Sequence, residues 1–394
     1  MRTWQRRSGV AASFALVVSI LAACSSTGGT SAPTSQQATT SPAETSAASA
    51  ESVAPASVGT TSQCNPSNIR LVDAIRSLSN PYHAVWSSGS KAYVKALGLP
   101  DNDYTLLLNE GDSAKQVAQV RTLLATGNDA CTAISVDPNE NSVTKTITDL
   151  VQQSGAWVTA YWNKDATLWP WTSDTHWVSF INFDGNVGGY QIAQELFKAM
   201  GNKGNIVVIR GLLDNVAETQ RYAGLQKALT ETPGIKMLDQ QTANWDRTQA
   251  LTLMKTYLAK YPGQINGVWA ANDNMALGAL EALKAAGLAG KIPVVGIDAV
   301  PESLADIQAG NVGYVATVAS DAYWQGGAGL SLGYQAMMGK LDVSTLSHDK
   351  RAFNAKTTLI TKANVATFIA PGNPTDYATD WANPFNRFVS AITP

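Results

Sequence analysis

Apolar and polar positions along this chain keep two alternating rhythms: short continuous apolar runs, and segments in which apolar residues return at three- and four-residue intervals. The stretch "VWAANDNMALGALEALKAAG", Val268 to Gly287, holds both. An apolar run reading as a buried strand, Ile265–Ala271, ends at Asn272 and Asp273. Ala276, Ala279, Leu280 and Leu283 then share one helical face, and Gly287 suits the left-handed stop. Asp273 is placed to cap that helix. Asn272 stands at the carboxyl end of a strand, where open α/β sheets bind ligands.

The same reading predicts strands at Ile69–Ile75, Tyr104–Asn109, Cys131–Val136 and Trp157–Trp162. An irregular loop, "NKDATLWPWTSDTH", follows, and strands resume at Trp177–Asn182, Asn205–Arg210, Ile235–Gln240, Ile265–Ala271 and Pro293–Ile297. Helical patterns lie between most of them, which is the signature of parallel βαβ units and gives two similar α/β halves. Val312–Val318 and Lys356–Thr361 come after both halves, so the chain is expected to cross back between them.

The first residues break this pattern. Arg2, Arg6 and Arg7 precede an apolar segment, Val10 to Leu21, too short to span a membrane comfortably, and then small residues. This reads as an export signal, of the general or the twin-arginine type. Its ending, Leu21-Ala22-Ala23-Cys24, resembles the lipobox of bacterial lipoproteins, which implies Cys24 as the lipid-bearing first residue of the mature chain and a membrane anchor. Ser25 to Ser62 is mostly Ser, Thr, Ala, Pro and Gly, with two glutamates and neither a basic nor an aromatic residue, so it reads as a disordered tether. Its reach as a flexible coil is about 35 Å.

With 394 residues and 45% apolar content the chain can fill two cores. Losing the signal's three arginines moves its charge from −2 to −5, which leaves no basic footprint for nucleic acid. Cys64 and Cys131 remain in an exported protein. If the strands they precede are parallel neighbours, the two cysteines meet at one sheet edge as a disulfide; two free buried thiols are the alternative. His83, His176 and His348 make no metal-ligand spacing, and neither a nucleophile elbow nor a Gly-rich phosphate loop is present. No catalytic residue, metal or cofactor is expected.

Four stretches carry a family resemblance: "SLSNPYHAVWSSGSKAYVKALG", "GDSAKQVAQVRTLLATGNDACTAISVDP", "NWDRTQALTLMKTYLAKYPGQINGVWAAND" and "ANDNMALGALEALKAAGLAGKIPVVGIDAVPESLADIQAGNVGYVATVASDAYWQGG". In this order they resemble the sugar-binding proteins of ABC transporters, the ribose- and galactose-binding type of periplasmic binding protein, from about Ile69 to Phe368. The resemblance implies an α/β fold of two Rossmann-like domains with parallel sheets, joined by a three-crossover hinge, with ligand clamped between them. The expected division is a signal peptide at 1–23, the anchor cysteine and tether at 24–63, a first domain of 64–182 with 321–350, and a second of 183–320 with 351–394. Phe183-Asp184 lies near one expected crossover. Residues 370–394 fall outside the resemblance.

The resemblance also implies a ligand set. Asn80 would hydrogen-bond and Tyr82 stack, against the plain reading of a strand-to-helix loop in which Pro81 opens the helix; His83 takes the place of a second aromatic. Asp137 and Tyr161-Trp162-Asn163 stand at strand ends, and Tyr161-Trp162 replaces an Asp-Arg pair that the family uses for pyranoses. In the second half Thr219 replaces a family arginine, Arg221 matches a later arginine expected to be structural, Trp245 fills an aromatic position and Asn272 an amide position. Asp298 matches a ligand carboxylate, with capping of a helix near Pro301 as its alternative, and Ser320 replaces a glutamine. The implied protein is a monomeric, lipid-anchored, extracytoplasmic binding protein that delivers a small neutral sugar or polyol to ABC permease subunits. The alternative is a receptor that presents a sugar or autoinducer-type signal to a membrane sensor, since one surface can serve both. With the family arginines replaced, the cleft is expected to lack fixed positive charge and to prefer an acyclic polyol or small pentose.

Overall fold

The computed structural model describes residues 64–172, 175–370 and 374–394. The export signal, Cys24 and the tether lie outside them. The first half runs β1 (Arg70–Ile75), α1 (Pro81–Ala96), β2 (Tyr104–Leu108), α2 (Ser113–Leu124), β3 (Thr132–Val136), α3 (Asn141–Ser154), β4 (Trp157–Tyr161) and β5 (Trp177–Asn182). The second runs α4 (Gly185–Ala199), β6 (Gly204–Arg210), α5 (Val216–Glu231), β7 (Ile235–Thr242), α6 (Arg247–Lys260), β8 (Gly267–Ala270), α7 (Asp273–Ala285), β9 (Val294–Val295), α8 (Pro301–Ala309) and β10 (Tyr314–Ala319). There follow α9 (Ala322–Met337), α10 (His348–Arg351), β11 (Ala352–Ala355), β12 (Thr358–Thr361), α11 (Val365–Ile369), α12 (Pro374–Ala382) and β13 (Phe388–Ala391).

Two sheets result, in the orders β13-β11-β5-β4-β3-β1-β2 and β12-β10-β9-β8-β6-β7. All pairings are parallel except β11 with β13 and β10 with β12. Interior strands such as β3 and β5 are buried along their whole length because helices cover both faces of a parallel sheet, which is why they read as unbroken apolar runs. Sheet membership corrects one expectation. Residues 351–394 do not all join the second domain: β11 and β13 extend the first sheet, and α12 packs on α9, which itself lies against α1, β3 and β4. Only β12 and α11 of that stretch sit on the second domain, α11 against α8. Beyond three crossings, the tail therefore passes a fourth time between domains.

Both domains press helix pairs together through glycines. In the first, a Cβ on Gly89 would meet Tyr323 O at 1.9 Å and one on Gly326 would meet Trp86 O at 2.1 Å, so α1 and α9 touch backbone to backbone. In the second, Gly189 and Gly224 do the same for α4 and α5, with Arg221 O 2.0 Å from a Cβ on Gly189. Cys64 and Cys131 are disulfide-bonded, their Cα atoms 4.7 Å apart. The parallel pairing of β1 with β3, Arg70 opposite Thr132, brings them together.

Candidate functional site

In both sheets the first strand is interior: the order reverses between β1 and β3, and again between β6 and β8. Loops leaving the carboxyl ends on either side of such a reversal diverge and open a crevice. The crevices of the two domains face each other across a cavity. Arg76, Asn80, Tyr82, His83, Asp137, Asn139, Trp162 and Asn163 line it from the first domain, and Asn215, Arg221, Trp245, Asn272 and Asp298 from the second.

Three of these are helix caps. Asn80 Oδ1 accepts from Tyr82 N at 3.1 Å with Pro81 in the first turn of α1; Asn215 Oδ1 accepts from Glu218 N at 3.3 Å, and Asn272 Oδ1 from Met275 N at 3.0 Å. The cap and ligand readings of Asn80 therefore coexist in one side chain. Asn272, not Asp273, caps α7, which corrects the expectation for that pair. Asp273 is fully buried below the cavity and accepts from Tyr314 OH at 2.6 Å, Thr317 Oγ1 at 2.8 Å, Val300 N at 3.0 Å and Ser303 Oγ. Asp298 caps nothing: Val300 occupies the cap position of α8, without a side-chain bond.

Trp162, Trp245 and Asp298 have φ of 60°, 64° and 132°, in the region that favours glycine. Such backbone costs about 1–3 kcal/mol per residue and persists where the surrounding fold overrides it, typically at functional sites. Trp162 Nε1 donates to Tyr82 OH at 2.8 Å, and Tyr82 OH donates to Gln325 Oε1 at 2.6 Å. His83 Nε2 and Asp137 Oδ2 are 2.9 Å apart.

Two guanidiniums face the cavity, which overturns the expected absence of fixed positive charge. Arg221 Nη1 donates to Ala271 O at 2.8 Å, its guanidinium lies over the rings of Trp162 (5.1 Å) and Trp245 (5.5 Å), and Nη2 is 3.7 Å from Asp298 Oδ1. Thr219, at the family's arginine position, is exposed; Arg221, two residues on, is the residue that faces inward. Arg76 Nη1 donates to Asn139 Oδ1 at 2.6 Å and Nη2 to Asn244 O, on the opposite domain, at 3.1 Å. Burial lowers the Arg76 pKa, against the carboxylates of Asp137, Asp246, Glu140 and Glu110, which raise it. Burial pushes the Asp298 carboxyl up to about 8, against the Arg221 guanidinium and the Asn272 amide that favour its ionised form; Asp273 and Asp137 add to the rise.

Two expected site residues lie elsewhere. Tyr161, the last residue of β4, is fully buried, its ring edge-on to Trp86 at 4.7 Å and its OH donating to Gln325 O at 2.9 Å. Ser320 is buried in a crossover, where its carbonyl accepts from Gln325 Nε2 at 2.9 Å. Arg76, Asn139 and Asn215 were missed. Arg76 ends an apolar strand as Asp137 does, and Asn215 precedes a helix as Asn80 does, so the same positional signals were available. Among the described residues, no group of three or more His, Cys, Asp or Glu side chains is arranged to hold a metal ion.

Residues 74–341 match the family model described as a periplasmic binding protein domain. The chain is 32% identical over 286 residues to a putative rhizopine-binding protein of Rhizobium meliloti, covering 71% of this chain and 86% of that protein. It is 38% identical over 162 residues to a xylitol-binding protein of Mycolicibacterium smegmatis, where the match spans 41% of this chain and only 45% of the relative. Among solved structures, the twin-arginine translocation pathway signal protein from Burkholderia phytofirmans superposes with a TM-score of 0.77 at 38% identity, covering 83% of this chain and 99% of that one.

Proposed function

The chain belongs to the periplasmic binding protein family, and from that premise we propose that it is an extracytoplasmic solute-binding protein that captures a small neutral sugar or polyol and delivers it to an ABC import permease. The observation that carries this reading is the cavity between the two sheets, where Trp162, Trp245 and Asp298 are held in costly backbone conformations among asparagine side chains. Indole faces stack on sugar C–H surfaces, while amides and carboxyls supply the donors and acceptors that hydroxyls need. Absence of positive charge no longer argues for a neutral ligand. The reason is instead that Arg221 and Arg76 are each engaged by protein carbonyls, amides or rings, so that neither requires an anionic partner.

Capture proceeds by hinge closure, in which ligand selects the closed form through contacts made only there. Bonds that cross the cleft mark that form: Arg76 Nη2 to Asn244 O, Val216 N to Asn163 Oδ1 at 3.1 Å, and Asn141 Nδ2 to Asp214 Oδ1 at 3.1 Å. The ligand named for one relative, xylitol, supports a polyol for this chain. Cys24 would tether the protein, as a monomer, to the outer face of the cell membrane, and no catalytic step belongs to the scheme. A thermal-shift screen of the domain beginning after Ser62 tests the reading, since a ligand bound only by the folded state raises the midpoint. Xylitol, myo-inositol, pentoses or hexoses should raise it; a response confined to amino acids, uronates or sugar phosphates would refute it.

A further inference from the structure

The tail beyond the matched family segment is bonded to the hinge. Arg387, after α12, reaches Asp321 Oδ2 with Nη1 at 3.0 Å and Asp380 Oδ2 with Nε at 2.7 Å, while its own carbonyl accepts from Lys356 N at 2.9 Å. Asp321 belongs to the crossover between β10 and α9, and Lys356 to the crossover between β11 and β12. One residue thus ties two of the strands about which the domains turn. The attachment is built in: Trp381 is buried on α9, its Nε1 donates to Trp324 O at 2.9 Å, and Gly327 leaves it room, since a Cβ there would lie 2.2 Å from the indole.

Asp321 is itself held at φ 55° and caps α9 by accepting from Trp324 N at 3.1 Å, with Tyr377 OH a further donor at 3.3 Å. One turn into α9, Gln325 takes Ser320 O with its Nε2 and receives Tyr82 OH on its Oε1. Tyr82 in turn accepts from Trp162, an indole of the cavity wall. A continuous series of bonds therefore leads from the tail, through the crossover, to two side chains of the candidate site.

We propose that Arg387 is a positioning residue for closure: by clamping the crossovers at Asp321 and Lys356 it holds the hinge in the geometry that brings the domains together and sets Gln325, Tyr82 and Trp162. This rests on the hinge-closure reading above. Its test needs no ligand. In the full chain, hydrogen exchange of the Val216 and Asn141 amides reports the closed form, because both donate across the cleft, to Asn163 Oδ1 and Asp214 O. Arg387→Gln should speed their exchange about two- to five-fold, as for loss of an ion pair of modest strength. Asp321→Asn should reproduce it, Arg387→Lys should recover part of it, and Asp380→Asn, which removes a contact within the tail alone, should leave it near wild type. Faster exchange limited to 374–391, with Val216 and Asn141 unchanged in both Arg387→Gln and Asp321→Asn, would overturn the proposal. So would an Asp380→Asn effect equal to that of Asp321→Asn. Should Arg387→Gln not fold, Asp321→Asn alone decides. The polyol screen judges the binding reading separately.

Discussion

Asp298→Asn is expected to stabilise the ligand-free protein above neutral pH while weakening its binding. The carboxyl is 7% exposed, and burial raises its pKa from 3.8 to about 8 despite Arg221 at 3.7 Å. Between those values the unfolded chain has released the proton and the folded chain keeps it. The unfolded state binds fewer protons there, so this group's contribution to stability is full below about pH 4 and declines as pH rises toward 8. Across the interval to pH 7 the linkage has a ceiling of about 4 kcal/mol at 1.36 kcal/mol per unit. Relaxation and the unpairing of Arg221 in the variant reduce the recoverable part to ~2 kcal/mol, or roughly 4 °C in midpoint. Differential scanning fluorimetry of wild type and variant from pH 4 to 8.5 reads this directly: the two should lie closest near pH 4 and separate progressively up to about pH 8, the variant higher at the alkaline end. Calorimetric titration of the best neutral polyol at pH 7 should show affinity reduced about ten-fold, as for one disrupted buried hydrogen bond. Parallel pH profiles, or a variant less stable than wild type at pH 8, would refute the argument.

Cys24→Ser should release the protein from membranes or leave an unprocessed precursor; a processed, detergent-soluble membrane protein would disprove the anchor. Joint replacement of Cys64 and Cys131 by Ser opens a loop of 67 residues and should lower stability by up to about 4 kcal/mol in the chain-entropy model, read as the denaturant midpoint. Gly189→Ala places a methyl 2.0 Å from Arg221 O, so α5 must shift with Arg221 on it. About 2–4 kcal/mol of stability should be lost, and polyol affinity with it; an unperturbed thermal midpoint would contradict the packing.

Most of the strands were legible because a parallel sheet covered on both faces writes itself as unbroken apolar runs. β11 and β13 were not. Ala352–Ala355 is too short to stand out, and Phe388–Ala391 is an exposed edge strand without a run's apolar density. Strand-end position picks out Asp137, Trp162, Asn272 and Asp298, which line the cavity. It also selected Tyr161, which failed because adjacent residues at a strand end leave on opposite sides: Tyr161 turns into the helix layer, and Trp162, in left-handed backbone, turns to the cavity. Arg221 reads as structural because nothing in sequence tells whether a helical arginine faces a sheet or a cleft. Asp273 and Asn272 both fit a cap; the fold gave that role to Asn272 because Tyr314, Thr317 and Ser303, distant in sequence, converge on Asp273.

The three capping asparagines carry a thermodynamic consequence. Each has its carbonyl oxygen committed to a helix N-terminus, so what Asn80, Asn215 and Asn272 can offer the cavity is an NH2 group already immobilised when the chain folded. The rotamer entropy that an adaptable polar side chain loses on meeting a ligand, about 0.5–1.5 kcal/mol each, has been spent before any ligand arrives. Donor positions at these sites are therefore as rigid as the helices themselves. A change of ligand preference in this scaffold is easier to reach through Trp162, Trp245 or His83, which cap no helix, than through residues whose replacement would fray α1, α5 or α7 as well.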